Sequence, residues 1–506
     1  MISSEQIKNI EYVILYSDLS SNPEKTVEEI LYFLNMNINI ENFKTGYCVI
    51  PYKLFQPWLG NEVFLNAYYR IIPNNNKLII ESILVEEIEA PQNDSSEVHN
   101  KNAKLFNVRF ENNESKPQKN TITVKLDLHS FQDLNKKYSQ NSDKGLIFKI
   151  NEPFLFDPVA IPKPWGQEIW FTGVEKRGVS NIKTFVDNST SLPFPWIFSA
   201  LPSLLQGAEF SGKNLTLVKI LDPLPDEVYG DLYYELHTEK NEVYIVTDIT
   251  STNGRIKFGA NTEKLKSFSN QNDYKDSFLI CIKKYEEIRR KIDSIIDEFR
   301  ITEGIDLNLP LPAEKIKLWH KSIPEELLSL EFKMRQEMDS YAGYLNLNIG
   351  DVISVSTHIP HALQHGVRVI EFQTPTYERL IISFAQKVLT QAHWDSEDAI
   401  AIMNVHPPQM MDLDIIEQND LYLEELVCSF KEFTSTRIII NHDCIYRIKS
   451  ENKYKILFLV SGSIKIIDKN QKEFLCQVGN CVFLSANTDL SLLSDKNSVI
   501  LMCYPN

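Results

Sequence analysis

Two stretches of the chain carry the side chains best suited to chemistry. The first, Leu224 to Asp248 (LPDEVYGDLYYELHTEKNEVYIVTD), holds Glu235 and His237 two residues apart, with Glu242 five residues further on. The second, Leu345 to Arg379, carries His361 eleven residues after Gly350 in a strand–turn–strand pattern. Alternation along a strand puts Tyr233, Glu235 and His237 on one face. The four residues Thr238 to Asn241 suit a hairpin turn into a returning strand that carries Glu242, Tyr244 and Val246. A second hairpin, from Gly350 to His361, can deliver His361 to the same point. Two imidazoles and two carboxylates are a donor set for one divalent metal inside a β-barrel; zinc, iron, manganese and cobalt all suit it. A lone Glu-x-His on a strand is ordinarily a surface pair, and it is the second hairpin that turns the reading to a metal. His358 and His365 read as residues of the rim.

The elements that must position these residues follow from periodicity. Residues 1–150 read as a mostly β domain. After a short helical stretch (TVEEILYFLNMN), the runs VFLNAYYRII, KLIIESILVEEI, KLFNVRF and TITVKLDL are β-branched or aromatic. LTLVKILDPL, at 215–224, is a buried strand by its aliphatic run. Helical spacing takes over in YKDSFLICIKKYEEIRRKIDSIIDEF, and Ser322 is placed to cap a second helix running to Met338. A helical block between two β segments reads as an insertion into one β domain. From Thr434 the chain is β again, punctuated at Gly462 and Gly479. This second barrel has a single histidine, His442, and is expected to hold no metal.

Composition narrows the function classes. The chain has 506 residues, 43% hydrophobic and 24% charged, which is enough material for several cores. The net charge of −16 argues against nucleic-acid and membrane partners and leaves room for a small anionic substrate in a local basic pocket. No apolar run approaches the roughly 18 residues of a membrane span. The seven cysteines are scattered without a C-x-x-C pair, and the N-terminus lacks a signal-peptide pattern, so a reducing cytoplasm is expected.

Gly230, His237 and Glu242, followed by Gly350, Ser356, His358 and His361, resemble the two cupin motifs, with Glu235 at the variable first-ligand position. More specifically, over about 155–506 the chain resembles the type I mannose-6-phosphate isomerases. Four stretches carry this: KPWG at 163–166, LVKILDPL at 217–224, Lys240-x-Glu242-x-Tyr244, and GDVISVSTHIPHAL followed by VIEFQTPTYER. The resemblance implies a bicupin: two jelly-roll β-barrels, mainly β, with a helical insertion and an extra N-terminal mostly-β domain. The implied division is 1–150, a metal-binding cupin at 151–271 plus 346–415, the helical insertion at 272–345, and a degenerate barrel at 416–506. It implies one divalent metal, zinc first, held by Glu235, His237, Glu242 and His361. It implies catalytic roles for Arg379, Glu371 and Lys240. The family has Gln where this chain has Glu235, and a proline after the histidine where this chain has Thr238; its segment between the second and third ligands is much longer. A second carboxylate leaves the bound metal less positive and a weaker Lewis acid.

Three functions compete at this stage. The resemblance implies a metal-dependent aldose–ketose isomerase acting on a sugar phosphate, in the simplest case interconverting mannose 6-phosphate and fructose 6-phosphate. The alternatives are another metal-dependent cupin enzyme, such as an iron oxygenase, and a non-catalytic sugar-binding cupin. Phosphate recognition calls for cationic donors. Lys163 and Arg177 are available, but the expectation is that both are solvated.

Overall fold

The computed structural model describes the backbone of strands Tyr12–Ser17, Thr45–Gln56, Asn61–Asn74, Lys77–Glu87, Lys104–Arg109, Thr121–Leu126 and Ile147–Lys149, the pair 24–25, and residues 150–506 apart from 176, 186–190, 408–409 and 411. The β-branched runs of the first 150 residues form one seven-stranded sheet. Tyr12–Ser17 pairs in parallel with Thr45–Gln56, and the other neighbours are antiparallel. The helix expected at TVEEILYFLNMN lies outside the described residues. Glu24 joins this region to the rest: its carboxylate accepts from the backbone N–H and hydroxyl of Ser203 and from Leu204 N.

The remaining chain is mainly β and builds four large antiparallel sheets. A six-stranded sheet contains Val352–Val355, Glu242–Ile249, Val367–Gln373, Leu217–Pro223, Gly166–Trp170 and Val159–Lys163, in that order. Its strands alternate between two cores. Val218, Ile220, Val243, Ile245, Ile370 and Phe372 pack with Phe458, Phe483 and Leu501 of a nine-stranded sheet. The opposite face, with Leu221, Tyr244, Val246 and Val369, packs with Tyr234, Ile256, Phe258 and Ile381 of a five-stranded sheet. The far face of the nine-stranded sheet covers a four-stranded sheet through Ile438, Leu457, Ile500, Ile466 and Leu492. Strands buried on both faces read as continuous aliphatic runs, which is why Leu217–Pro223 was visible in the sequence.

Two strands from early in the chain, Phe154–Asp157 and Asn181–Thr184, belong to the nine-stranded sheet; Phe154 pairs with Phe483 and Leu155 with Val482. Stretch 151–193 is therefore shared between the two sheet pairs.

The helical stretch is a 32-residue helix, Gln271–Thr302. The Asn270 side chain caps it by accepting from Asn272 N and Asp273 N. Tyr274, Phe278, Cys281, Ile282 and Tyr285 join the core of the five-stranded sheet, and Ile288, Ile292 and Ile296 pack on Trp319 and Ile323. A short helix, Ala313–His320, comes next, and the helix that runs past Met338 is Glu325–Asp339, with Pro324 at its N-cap and no side-chain cap bond. Ser322 is thus not the cap; it lies in the preceding turn, and Pro324 supplies a fixed backbone angle in place of a hydroxyl acceptor. Among the described residues no helix is long and apolar enough to cross a membrane.

Candidate metal centre

Glu235 lies on strand Tyr234–Leu236, directly opposite His361, the first residue of strand His361–Leu363. Both strands belong to the five-stranded sheet. Glu242 opens strand Glu242–Ile249 of the facing sheet, opposite Val355 and Gln373. The expected hairpin between Glu235 and Glu242 therefore does not form. Residues 238–241 carry the chain from one sheet to the other. Strand Glu242–Ile249 already has a neighbour on each edge, Val352–Val355 and Val367–Gln373, so no edge is left for Tyr234–Leu236. Residues 356–360 make a second crossing in the same way, from Val352–Val355 to His361–Leu363. The donors meet where these two crossings bridge the sheets.

Single donor atoms of Glu235, His237 and His361 all lie within 4.8 Å of one another. Glu242 stands between the imidazoles, with one oxygen 3.4 Å from His237 Nε2 and the other 3.4 Å from His361 Nε2. Both imidazoles are buried, and both Nε2 atoms lack a hydrogen-bond partner. Each Nδ1 lies 3.0 Å from a backbone carbonyl, that of Glu378 for His237 and that of Ile359 for His361. A carbonyl only accepts, so Nδ1 carries the proton and the Nε2 lone pair faces the carboxylates. Burial, and then the charge of Lys240, lowers the pKa of His237 and keeps it neutral. Burial works to raise Glu235, but the Arg379 charge, foremost among its neighbours, outweighs it and holds the carboxyl ionised. Two imidazoles whose Nε2 atoms have no hydrogen-bond partner and two carboxylates fit a divalent cation. The described residues that would hold it are Glu235, His237 and His361, with Glu242 alongside.

Beyond the donors, a charged stripe crosses the inner face of the six-stranded sheet. Lys219 pairs across strands with Glu371, and Glu371 with Tyr244. Lys219 Nζ is 3.2 Å from Glu371, Lys163 Nζ is 3.1 Å from Glu168, and Lys240 Nζ is 2.5 Å from Glu242. The Tyr244 hydroxyl donates to Glu242 at 2.7 Å. Both Glu371 oxygens are buried without a hydrogen-bond partner. Burial, and then the neighbouring Glu242 charge, pushes the Glu371 pKa well above the usual carboxylate range. Burial also opposes ionisation of Glu242, yet the Lys240 charge beside it holds it well below that range. One carboxyl of the pair is thus ionised while the other keeps its proton. Lys219 is held charged, because Glu168, Glu371 and Glu242 together outweigh its burial.

Arg379 comes to the same mouth after the chain turns at Thr374. Its Nη1 is 3.5 Å from Glu235, its Nη2 donates to Thr390 Oγ1 at 2.8 Å, and its guanidinium lies 4.5 Å from the Tyr233 ring centroid. The expectation that Lys163 and Arg177 are solvated fails. Lys163 is largely covered and pairs with Glu168, yet burial, with the Arg177 and Lys219 charges, lowers its pKa. Arg177 lies between the rings of Trp170 and Tyr377 and bonds Glu175. His365 is engaged by Asp231 at 2.7 Å. His358 has a left-handed φ of 66° and donates its backbone N–H to His237 O at 2.7 Å. Gly230 has no space for a side chain, since a Cβ would sit 1.9 Å from the Leu224 carbonyl oxygen.

The sequence reading missed Lys219, Glu168 and Glu378. For Lys219 the signal was present: it is the one charged residue inside the run LTLVKIL.

No family model matches the chain, and no curated protein matches it. Several solved structures do. Mannose 6-phosphate isomerase from Bacillus subtilis is 13% identical, with a TM-score of 0.48, over 70% of this chain and 99% of that one. The apo form from Salmonella typhimurium is 13% identical, with a TM-score of 0.49, over 70% and 99%. A mannose 6-phosphate isomerase bound with zinc and yttrium is 12% identical, with a TM-score of 0.47, over 70% and 100%. At such identities and scores these are likenesses, and the chemistry must be argued from the residues.

Proposed function

We propose that the chain is a metal-dependent aldose–ketose isomerase acting on a sugar phosphate, with mannose 6-phosphate and fructose 6-phosphate as the pair its sequence motifs favour. The site would lie between two stacked barrel sheets of cupin type, with zinc as the first choice of metal. The observation that carries the reading is Glu371. It is a buried carboxyl with a raised pKa, 3.2 Å from Lys219 and next to a two-imidazole, two-carboxylate donor set.

Isomerisation takes a proton from C2 of the aldose and returns it to C1, while the proton on O2 passes to O1. The intermediate is an enediol with developing charge on oxygen. A carboxyl whose pKa is raised above the usual carboxylate range is a stronger base than an ordinary carboxylate, and can take the carbon proton and give it back. Lys219, 3.2 Å away, stabilises the Glu371 carboxylate whenever it forms. Arg379 presents a permanently charged planar donor to the oxyanion. Lys240 holds Glu242 ionised and so keeps the donor set anionic. A divalent metal bound here would supply Lewis-acid stabilisation of the sugar oxygens.

A coupled assay of the metal-loaded protein on several hexose phosphates in deuterium oxide tests the reading. The expected result is ketose product with solvent deuterium on carbon, abolished by chelation and restored by metal. No turnover on any hexose phosphate would overturn it.

A further inference from the structure

The stretch 374–379 runs along the whole of the crossing that carries His237. At one end, Thr374 N donates to Asn241 O at 3.0 Å and Asn241 N donates to Thr374 Oγ1 at 3.2 Å. At the other, Arg379 reaches Glu235 at 3.5 Å. Between them stands Glu378. Its carbonyl accepts from His237 Nδ1 at 3.0 Å, and its carboxylate Oε2 accepts from Thr238 N at 2.9 Å and Glu239 N at 3.2 Å. Residues 237–241 lie in neither sheet, so their backbone N–H groups have no strand ladder to satisfy them. A carboxylate accepting two adjacent N–H groups is the charge-assisted substitute.

We infer that Glu378 is a positioning residue for the donor set. Its carbonyl fixes the His237 tautomer, and its carboxylate fixes the backbone from which His237 and Glu242 project. Chain continuity ties Arg379 to the same geometry. The inference rests on the metal reading above and adds that metal retention and arginine placement are set by one segment. The crossing is only five residues long, 237–241, so a shift of Thr238 or Glu239 moves His237 and Glu242 together.

The test is zinc titration of the chelator-stripped full chain as wild type, Glu378→Ala and Glu378→Gln. These substitutions leave the carbonyl in place and isolate the carboxylate. Glu378→Ala is expected to weaken zinc binding by roughly 10- to 100-fold, as for other partners that orient metal ligands. Glu378→Gln keeps an acceptor oxygen at the same size and is expected to recover most of that loss. Unchanged zinc affinity in Glu378→Ala overturns the inference and leaves the metal reading standing. Absence of zinc binding in the wild type overturns the metal reading itself, and the inference with it. Hydrogen exchange of the wild type, with and without zinc, decides the matter even where the alanine variant fails to fold. Stripping the metal should lower the protection of 238–241 and 374–379 together, and independent behaviour of the two segments counts against the inference.

Discussion

Between the six- and five-stranded sheets the buried side chains include Glu168, Lys219, Glu242, Glu371, His237 and His361. Between the nine- and four-stranded sheets the corresponding core is Ile438, Ile440, Leu457, Leu459, Ile464, Ile466, Leu492 and Ile500. Both spaces are enclosed by antiparallel sheets built from strands of similar length. The second is filled in the way that most stabilises a fold, since each fully buried Ile or Leu contributes about 1.5–3 kcal/mol. The first combines an apolar core with buried charges. Four acidic side chains there, one of them the protonated Glu371, each have a cation within 3.5 Å: Lys163 for Glu168, Lys219 for Glu371, Lys240 for Glu242 and Arg379 for Glu235. Buried ion pairs seldom beat the apolar residues that could replace them, because desolvation offsets much of the Coulomb gain. A set of four concentrated in one of two similar spaces therefore argues for chemistry there, and for a structural role in the other.

The largest effect that would sharpen this contrast is loss of metal. His237→Ala and His361→Ala each remove one imidazole from a buried donor set and are expected to leave the protein nearly metal-free by elemental analysis. Full occupancy in both variants would remove the metal centre from the comparison.

Next is Glu371→Gln, which keeps size and shape and removes the proton carrier. Turnover is expected to fall by roughly 10²–10⁴, with metal content unchanged. The sign of the pH dependence follows from its raised pKa. As base, Glu371 must be ionised, so the rate of the wild type should rise with pH through a midpoint above the usual carboxylate range. The same shift works against stability. Below the unfolded pKa both states are protonated; as pH rises toward the folded pKa, only the unfolded state ionises, and stability falls. An acid limb in the pH–rate profile that persists unchanged in Glu371→Gln would assign it to another group.

Arg379→Lys keeps the charge and loses the planar fork that spans Glu235 and Thr390. Turnover should drop by about 10²–10³, as for loss of one oxyanion donor, with folding intact by circular dichroism. Wild-type turnover would make this arginine a clamp on Glu235 and nothing more.

These residues differ in how visible they were beforehand. The four proposed donors were legible because Glu235-x-His237 is followed by Glu242 and matched by His361 in a second stretch, and the structure brings all four together. The long helix was legible because Tyr274, Phe278, Ile282 and Tyr285 recur at helical spacing. Sheet membership was not. Four residues between His237 and Glu242 suit a hairpin as well as a crossing, and the choice depended on which strand edges were already occupied. The pairing of Phe154 with Phe483 was equally out of reach, since nothing local to either strand names so distant a partner. Glu378 was silent for a related reason: its role depends on backbone N–H groups that look alike in every sequence.

The smallest expected effect on activity is in the apolar space. Ile466 is fully buried, pairs across strands with Phe474 and Leu492, and packs under the nine-stranded sheet. Ile466→Ala leaves a cavity among side chains that can only partly collapse, and should cost about 2–5 kcal/mol of folding free energy. Ile466→Val removes one methyl group and should cost about 0.5–1.5 kcal/mol. The valine variant should remain folded at 25 °C, with zinc content, kcat and KM all at wild-type values. Its melting temperature should fall, because stability is the only quantity this residue serves. The six-stranded sheet shares its outer core with the nine-stranded one through Phe372 and Phe483, so strain at Ile466 has a route to Glu371 on the opposite face of the Phe372 strand. A changed kcat in Ile466→Val, at unchanged metal content, would show that this route carries coupling and that the two spaces are not separable into a chemical and a structural half.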